Sequence, residues 1–523
     1  MVVKGILRKG QYFDSVTLMK VAQTINKRAG VTDSAVIMGT AENQILLDSA
    51  GLLIPEFAGA EDTDLLIVVK ADSGDDADGA LAEVEVQLLK LKDKGEGNGS
   101  FKPGSIEGAT ETLDNANLAI ISIAGKYAGA EARKALMQGL HVMLFSDNVS
   151  LVEEIELKRF AQQQGLLLMG PDCGTAIING IPLAFANNVS RGAIGIVAAA
   201  GTGLQEVSCL ISRAGAGISQ AIGTGGRDLS KEVGGIMFIQ GLEALAEDQD
   251  TSVILLVSKC PHRDTLGKII SVVKNITKPV VTLFLGADTK ALGKQGLQIA
   301  STLEEAALIA AALARGGSVE SVRRWLATRD AELRDTAKQE GLKLVRSQKY
   351  LRALFSGGTF CSEAQILCND ILQPVYSNTA SGKSLPLADS SVSIKHTIVD
   401  LGEDEFTVGR PHPMIDYSLR NQRIISEAQD PGTGVILLDI VLGYGANPEP
   451  LPEIVPILEE AQNIAVNAGR HFPVICSVTG TDKDPQNRTT VVDSLEKAGV
   501  LVMESNAAAC KLAIFILEDL NEK

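Results

Sequence analysis

Three glycine-opened turns each follow an apolar run. Gly201-Thr202-Gly203 follows 194–200, Gly357-Gly358-Thr359 follows 351–355, and Gly443-Tyr444-Gly445 follows 435–442. A strand that ends in such a turn and continues as a helix presents unpaired backbone N–H groups and the positive end of the helix dipole. Both suit a phosphate or a carboxylate. The pattern predicts an anion cradle built between two helix starts, Gly201–Gly203 and Gly443–Gly445. Plain βα connections would use the same glycines, so that reading stands beside it. A fourth turn, 223–228, ends in Arg227-Asp228. Arg227 either reaches the anion or pairs locally with Asp228. In 409–416, GRPHPMID, two prolines hold the backbone around His412, and Arg410 offers a planar fork for an oxyanion. His412 is the candidate general acid or base and Arg410 its catalytic companion.

Other chemistries fit less well. Position 206 is Glu, which breaks the GxGxxG dinucleotide pattern, and GxxxxGK[ST] is absent. Cys173 has no evident His partner and reads as a small residue in a tight loop. The seven cysteines and five histidines are scattered, without the spacing of a metal site.

The elements that must position these residues alternate strand and helix, which implies parallel sheets with right-handed crossovers. The fold class expected is α/β: a Rossmann-like domain and two flavodoxin-like domains, with a small extra N-terminal α/β domain. The expected boundaries are 1–105 for the N-terminal domain and its Gly-rich linker, 106–191 for the Rossmann-like domain, 192–316 and 351–523 for the two flavodoxin-like domains, and 317–350 for a helical connector. The chain has 523 residues and a net charge of −16. That balance argues against nucleic acid or an anionic membrane as main partner. No secretory pattern or long apolar run stands out, so a cytoplasmic setting is expected.

MGPDCGTAI (169–177), GIVAAAGTGLQE (195–206), AIGTGGRDLS (221–230) and VGRPHPMID (408–416) resemble the FdrA/AllF family in its YahF-like branch, within the succinyl-CoA synthetase-like superfamily. The resemblance covers essentially the whole chain. It implies a CoA-binding-type domain at 106–191, an α-type ligase domain at 192–316 and a β-type ligase domain at 351–523. In such synthetases two helix starts aim at a phosphorylated histidine. Here the corresponding stretch is Gly293-Lys294-Gln295-Gly296, without histidine. The resemblance therefore implies a subunit of an oxamate carbamoyltransferase-type complex, converting oxalurate and phosphate to oxamate and carbamoyl phosphate. Its ligands would be a small acid and phosphate, or an acyl or carbamoyl phosphate. Its partners would be subunits resembling AllG and AllH in an oligomer. CoA is held doubtful, Mg2+ is an optional companion of phosphate, and no metal-binding residues are assigned. Two alternatives remain: an acyl-CoA synthetase or CoA-linked acyl transferase, and a non-catalytic scaffold derived from a synthetase.

Overall fold

The computed structural model describes residues 1–11, 13, 15–26, 28–96, 103–407 and 411–521. The chain forms two compact units, one of residues 1–114 with 403–412, the other of 115–402 with 413–523.

The first unit contains β1 (Val2–Arg8), α1 (Ser15–Asn26), β2 (Val31–Met38), α2 (Ala41–Ser49), a 3-10 turn at Pro55–Phe57, β3 (Leu65–Ala71), α3 (Gly74–Glu96) and α4 (Ile106–Thr112). Its sheet is antiparallel, in the order β1-β3-β2. Alternation along β3 explains why the strand is apolar at every position of its core. Leu65, Ile67 and Val69 pack with α1 and α3, while Leu66 and Val68 pack with Leu47, Leu52 and Phe57.

The second unit begins with β4 (Leu118–Ile121), α5 (Gly125–Met137), β5 (His141–Leu144), α6 (Leu151–Gln163) and β6 (Leu168–Met169), which make a parallel three-stranded sheet. A second sheet follows. Its elements are β7 (Thr175–Ile178), β8 (Ile181–Ala184), β9 (Arg191–Ala198), α7 (Gly201–Arg213), β10 (Ile218–Gly223), α8 (Ile236–Glu247), β11 (Val253–Lys259), α9 (Arg263–Val273), β12 (Val280–Leu285), α10 (Thr289–Gly293), β13 (Gln298–Ile299) and α11 (Leu303–Ala314). The long helix α12 (Val319–Gly341) leads into the third sheet. That sheet comprises β14 (Tyr350–Phe355), α13 (Gly358–Cys368), β15 (Val375–Ser377), β16 (Leu385–Pro386), β17 (His396–Asp400), α15 (Ser418–Gln429), β18 (Thr433–Val441), α16 (Pro450–Asn467), β19 (Val474–Thr479), α17 (Arg488–Lys497), β20 (Leu501–Met503) and α18 (Asn506–Asn521). A short helix, α14 (Asp404–Thr407), lies between β17 and α15 in sequence and belongs to the first unit.

The two larger sheets share one plan. Their orders are β13-β12-β11-β9-β10-β7-β8 and β16-β15-β17-β14-β18-β19-β20. β9 and β14 each stand where the order reverses, and their partners run parallel on both sides. Such switch points open a crevice at the carboxyl ends of the strands. Helices α7 and α13 both start there. They pack with α11 and α18 into one core that draws on both halves, including Leu204, Val207, Leu303, Phe360, Ala364, Ala509 and Ala513.

The fold corrects one expected boundary. Residues 175–184 form an antiparallel hairpin on the sheet of β9 rather than a tail of the preceding domain. Asn179 (φ 51°) and Gly180 (φ 80°) make its two-residue turn, a conformation that favours Asn-Gly.

Candidate functional site

At the carboxyl end of β9 the chain passes through Ala200 into α7, and at the end of β14 it passes through Gly357 into α13. Neither helix start has a side-chain cap, whereas α6, α11 and α12 are capped by Ser150, Thr302 and Ser318. The two starts abut. A Cβ on Gly203 would stand 2.9 Å from the Thr359 methyl, and a Cβ on Gly357 would stand 2.8 Å from the Thr202 methyl. Glycine is required at both positions by this close approach rather than by an unusual φ.

The two starts differ in what faces them. A Cβ on Gly358 would lie 2.7 Å from a carboxylate oxygen of Asp400, so the chain's own anion stands beside α13. Ser356, at the same turn, donates its N–H and hydroxyl to the buried Asp439 at 2.7 and 2.6 Å. Burial pushes the Asp439 carboxyl up, against the nearby Arg420 guanidinium, which lowers it. By contrast Gly201 is exposed, and a Cβ there would meet only the Thr175 hydroxyl, at 3.7 Å. The start of α7 is thus the open one.

The loops at the carboxyl edge of this same sheet carry exposed Arg227 and Lys231 after β10, Lys259 and Arg263 around the end of β11, and Lys290 and Lys294 after β12. The same loops also carry the exposed acids Glu232, Asp264 and Asp288, so in a chain of net charge −16 this edge keeps a small positive excess. Such an edge attracts polyanions.

Several expected site residues are placed elsewhere or are already engaged. Gly443 and Gly445 do not open a helix, because α16 starts at Pro450. The Gly443 N–H goes to Gln486 at 3.1 Å and the Tyr444 N–H to the Ala186 carbonyl at 2.9 Å, so neither is offered to a ligand. Both glycines have positive φ, 108° and 82°, and pack on Ala186 and Phe185. The helix start that faces Gly201–Gly203 is Gly357-Gly358-Thr359 instead. Arg227 is engaged within the chain, by the Val149 carbonyl (2.7 Å) and the Glu154 carboxylate (2.9 Å). Asp228 does not pair with Arg227. It is buried, accepts from Lys158 at 2.8 Å and from the Phe238 N–H at 2.8 Å, and so ties the loop to α6 and α8.

Gly223 and Gly225 have a structural cause. A Cβ on Gly223 would strike the Thr175 carbonyl and one on Gly225 the Pro171 carbonyl, because the loop after β6 crosses over them. Arg410 lies outside the described residues. His412 belongs to the first unit and the glycine turns to the second. Burial pushes its imidazole down to about 4, which leaves it without a proton to give at neutral pH. Cys173 is buried and its thiol is pushed up to about 12, which removes it as a nucleophile.

Two residues that the sequence reading did not single out lie directly behind the helix starts: Glu206 on α7 and Glu363 on α13, both buried. Each stands five residues after the first glycine of its helix. Burial pushes the Glu363 carboxyl up to about 7, and it also raises that of Glu206. Among the described residues no group of three or more His, Cys, Asp or Glu is placed to hold a metal ion. Among the described residues no helix is long and apolar enough to cross a membrane.

Three family models match the chain. The CoA-ligase model covers 354–516, the CoA-binding-domain model covers 190–286, and the model described as AllF, heavy metal-associated domain, covers 1–103. The E. coli (strain K12) protein YahF, described as uncharacterized, is 42% identical over 98% of this chain and 98% of its own length. The alpha subunit 1 of the ADP-forming succinate–CoA ligase of Archaeoglobus fulgidus is 27% identical over 40% of this chain and 73% of its own length. The corresponding alpha subunit from Methanothermobacter thermautotrophicus is 26% identical over 41% and 73%.

These matches overturn two expectations. The expected carbamoyltransferase reaction gives way to CoA-ligase-type chemistry, since the ligase and CoA-binding models and the succinate–CoA ligase relatives agree on it. CoA, held doubtful from the missing histidine, becomes a plausible ligand. Its model falls on 190–286, the sheet around β9. A heavy metal in the N-terminal domain does not fit the residues there. Positions 1–103 contain neither Cys nor His, and the thioethers of Met1, Met19 and Met38 are their only soft donors, with no thiolate or imidazole to join them.

Proposed function

This chain belongs to the FdrA/AllF-like family, related to the succinyl-CoA synthetases, and from that premise we propose that it exchanges an acyl group between phosphate and the CoA thiol. The observation that carries the reading is the open, uncapped start of α7, set at a switch point of a sheet whose carboxyl edge has a positive excess, inside the stretch that the CoA-binding model matches. CoA is a polyanion, and Lys231, Lys259, Arg263, Lys290 and Lys294 offer it exposed positive charge. The amides of Gly201, Thr202 and Gly203 suit a phosphate oxygen or the oxygen that gains charge as the acyl carbon turns tetrahedral.

In the step proposed, the CoA sulfur bonds to the acyl carbon of an acyl phosphate. The carbon–oxygen bond to phosphate breaks, inorganic phosphate leaves, and the thiol proton passes to solvent. The reverse direction uses the same groups. Gly293–Gly296 has no histidine, so the phosphate is read as free phosphate or an acyl phosphate rather than a phosphorylated side chain. Thr359 and the start of α13 hold α7 in place, and Asp400 keeps a second anion away from α13. His412 has no assigned role in this step.

The same reading includes partner subunits resembling AllG and AllH, an oligomeric assembly and a cytoplasmic setting. Thioester formation from CoA and short acyl phosphates, assayed on the full chain co-purified with its partners, tests the proposal. Thioester that accumulates in step with released phosphate supports it. No thioester from any short acyl phosphate, together with no affinity for CoA, overturns it.

A further inference from the structure

The two halves of the second unit are joined by exchanged helix caps. Helix α11 closes the first half and α18 closes the second. Each has its own N-cap hydroxyl: Thr302 accepts from the Glu305 N–H at 3.1 Å, and Ser505 accepts from the Ala508 N–H at 3.0 Å. The first amide of each helix is then served from the other half. Glu363 on α13 accepts the Leu303 N–H at 2.7 Å, and Glu206 on α7 accepts the Asn506 N–H at 3.0 Å. Asn506 joins the two, donating its side-chain amide to Glu363 at 2.8 Å. The second oxygen of Glu206 accepts from the Thr479 hydroxyl at 2.5 Å, on β19 of the opposite half.

This crossed arrangement reaches the helix starts. Leu303, held by Glu363, packs against α7, where a Cβ on Gly203 would lie 3.4 Å from its side chain. Asn506, held by Glu206, also donates to the Phe360 carbonyl at 3.3 Å, in the first turn of α13. Each glutamate therefore grips the helix that backs the other half's start. Their positions correspond, five residues into equivalent helices at equivalent switch points.

We infer that Glu206 and Glu363 are positioning residues, which hold the start of α7 in register with the start of α13 by capping α18 and α11 across the boundary between the halves. The inference rests on the reading of the α7 start as the ligand site only in its consequence for binding; the clasp itself is read without any ligand.

Hydrogen–deuterium exchange on the full chain tests it. Glu363→Ala exposes the cap of α11, so exchange should accelerate about fivefold in the first turn of that helix, as loss of one helix cap predicts. Glu206→Ala should do the same to the first turn of α18. The pattern is crossed: each substitution loosens a helix of the other half. Glu363→Gln and Glu206→Gln keep the shape and one acceptor oxygen. They serve where an alanine variant fails to fold, and they should show the same crossed pattern at smaller size. Acceleration confined to the substituted helix, with the opposite helix start unchanged, overturns the inference. CoA titrated into the unmodified chain separates the two readings. Failure to bind removes the ligand assignment and leaves the exchange result to decide the clasp.

Discussion

Glu363→Gln isolates the charge of the clasp. Glu363 is buried beside Glu206 and Glu304, and burial holds its carboxyl at about 7, against the ordinary 4.5. Between those values the folded chain keeps a proton that the unfolded chain has released. Unfolding free energy therefore falls as pH rises from 4.5 to 7 and is level above. At about 1.4 kcal/mol per pH unit the drop is roughly 3 kcal/mol. Glutamine carries no such proton, so the variant lacks this slope. It also loses one acceptor, because its amide nitrogen must face either Leu303 or Asn506. It therefore starts less stable by about 1 kcal/mol. The assay is urea unfolding from pH 5 to 8, followed by the fluorescence of the exposed Trp325 on α12, a helix that packs against α11 and α18. The small advantage of the unmodified chain at pH 5 should reverse by about pH 5.5, and the variant should lead by about 2 kcal/mol from neutrality upward. Parallel curves for the two proteins would show that Glu363 does not hold a proton through this range.

Three further outcomes follow from the same kind of geometry. Lys158 is fully buried and joins Glu154 and Asp228, both at 2.8 Å. Lys158→Met leaves two buried carboxylates without it and should cost about 3–5 kcal/mol in chemical unfolding; an unchanged midpoint would count against the brace. His396 is buried, its ring held down to about 4 by burial and by Arg352. Its contribution is present above 6.5 and lost as pH falls toward 4, so His396→Gln should flatten the acid limb of the stability profile. Of the seven cysteines only Cys260 is exposed. A thiol reagent on the native chain should find one fast site, and peptide mapping that places early label on Cys173 would contradict its burial.

The sheets were legible because parallel strands buried on both faces read as apolar runs, as in 194–198 and 435–441. The start of α7 was legible for a related reason: an apolar run breaks at glycine and a helical stripe begins at Leu204. The same logic misled at Gly443-Tyr444-Gly445, where the run also breaks at glycine. Pro450, which occupies the first turn of α16, was the signal that the helix begins later. The hairpin of β7 and β8 was announced by Asn179-Gly180 between two apolar stretches. The crossed caps were beyond reach, since Glu206 and Asn506 lie 300 residues apart in sequence. Nothing local marks a glutamate in the second turn of a helix as the cap of another helix. Likewise, Arg227 beside Asp228 suggested a local pair, and only the packing of α6 against the loop shows that each residue has a different partner.

In the proposed function CoA lies at the carboxyl edge of the sheet around β9, with an anionic group at the start of α7. Calorimetric titration of CoA into the full chain and into Gly201→Asp measures it most directly. A Cβ at Gly201 meets only the Thr175 hydroxyl, at 3.7 Å, so the variant should fold, while its carboxylate occupies the place of the ligand's anion. A single CoA site is expected on the unmodified chain, with at least about tenfold weaker binding by the variant, the loss that follows when a charge-assisted contact of about 1.4 kcal/mol or more is blocked. No binding to the unmodified chain, or equal affinity for both, would contradict it.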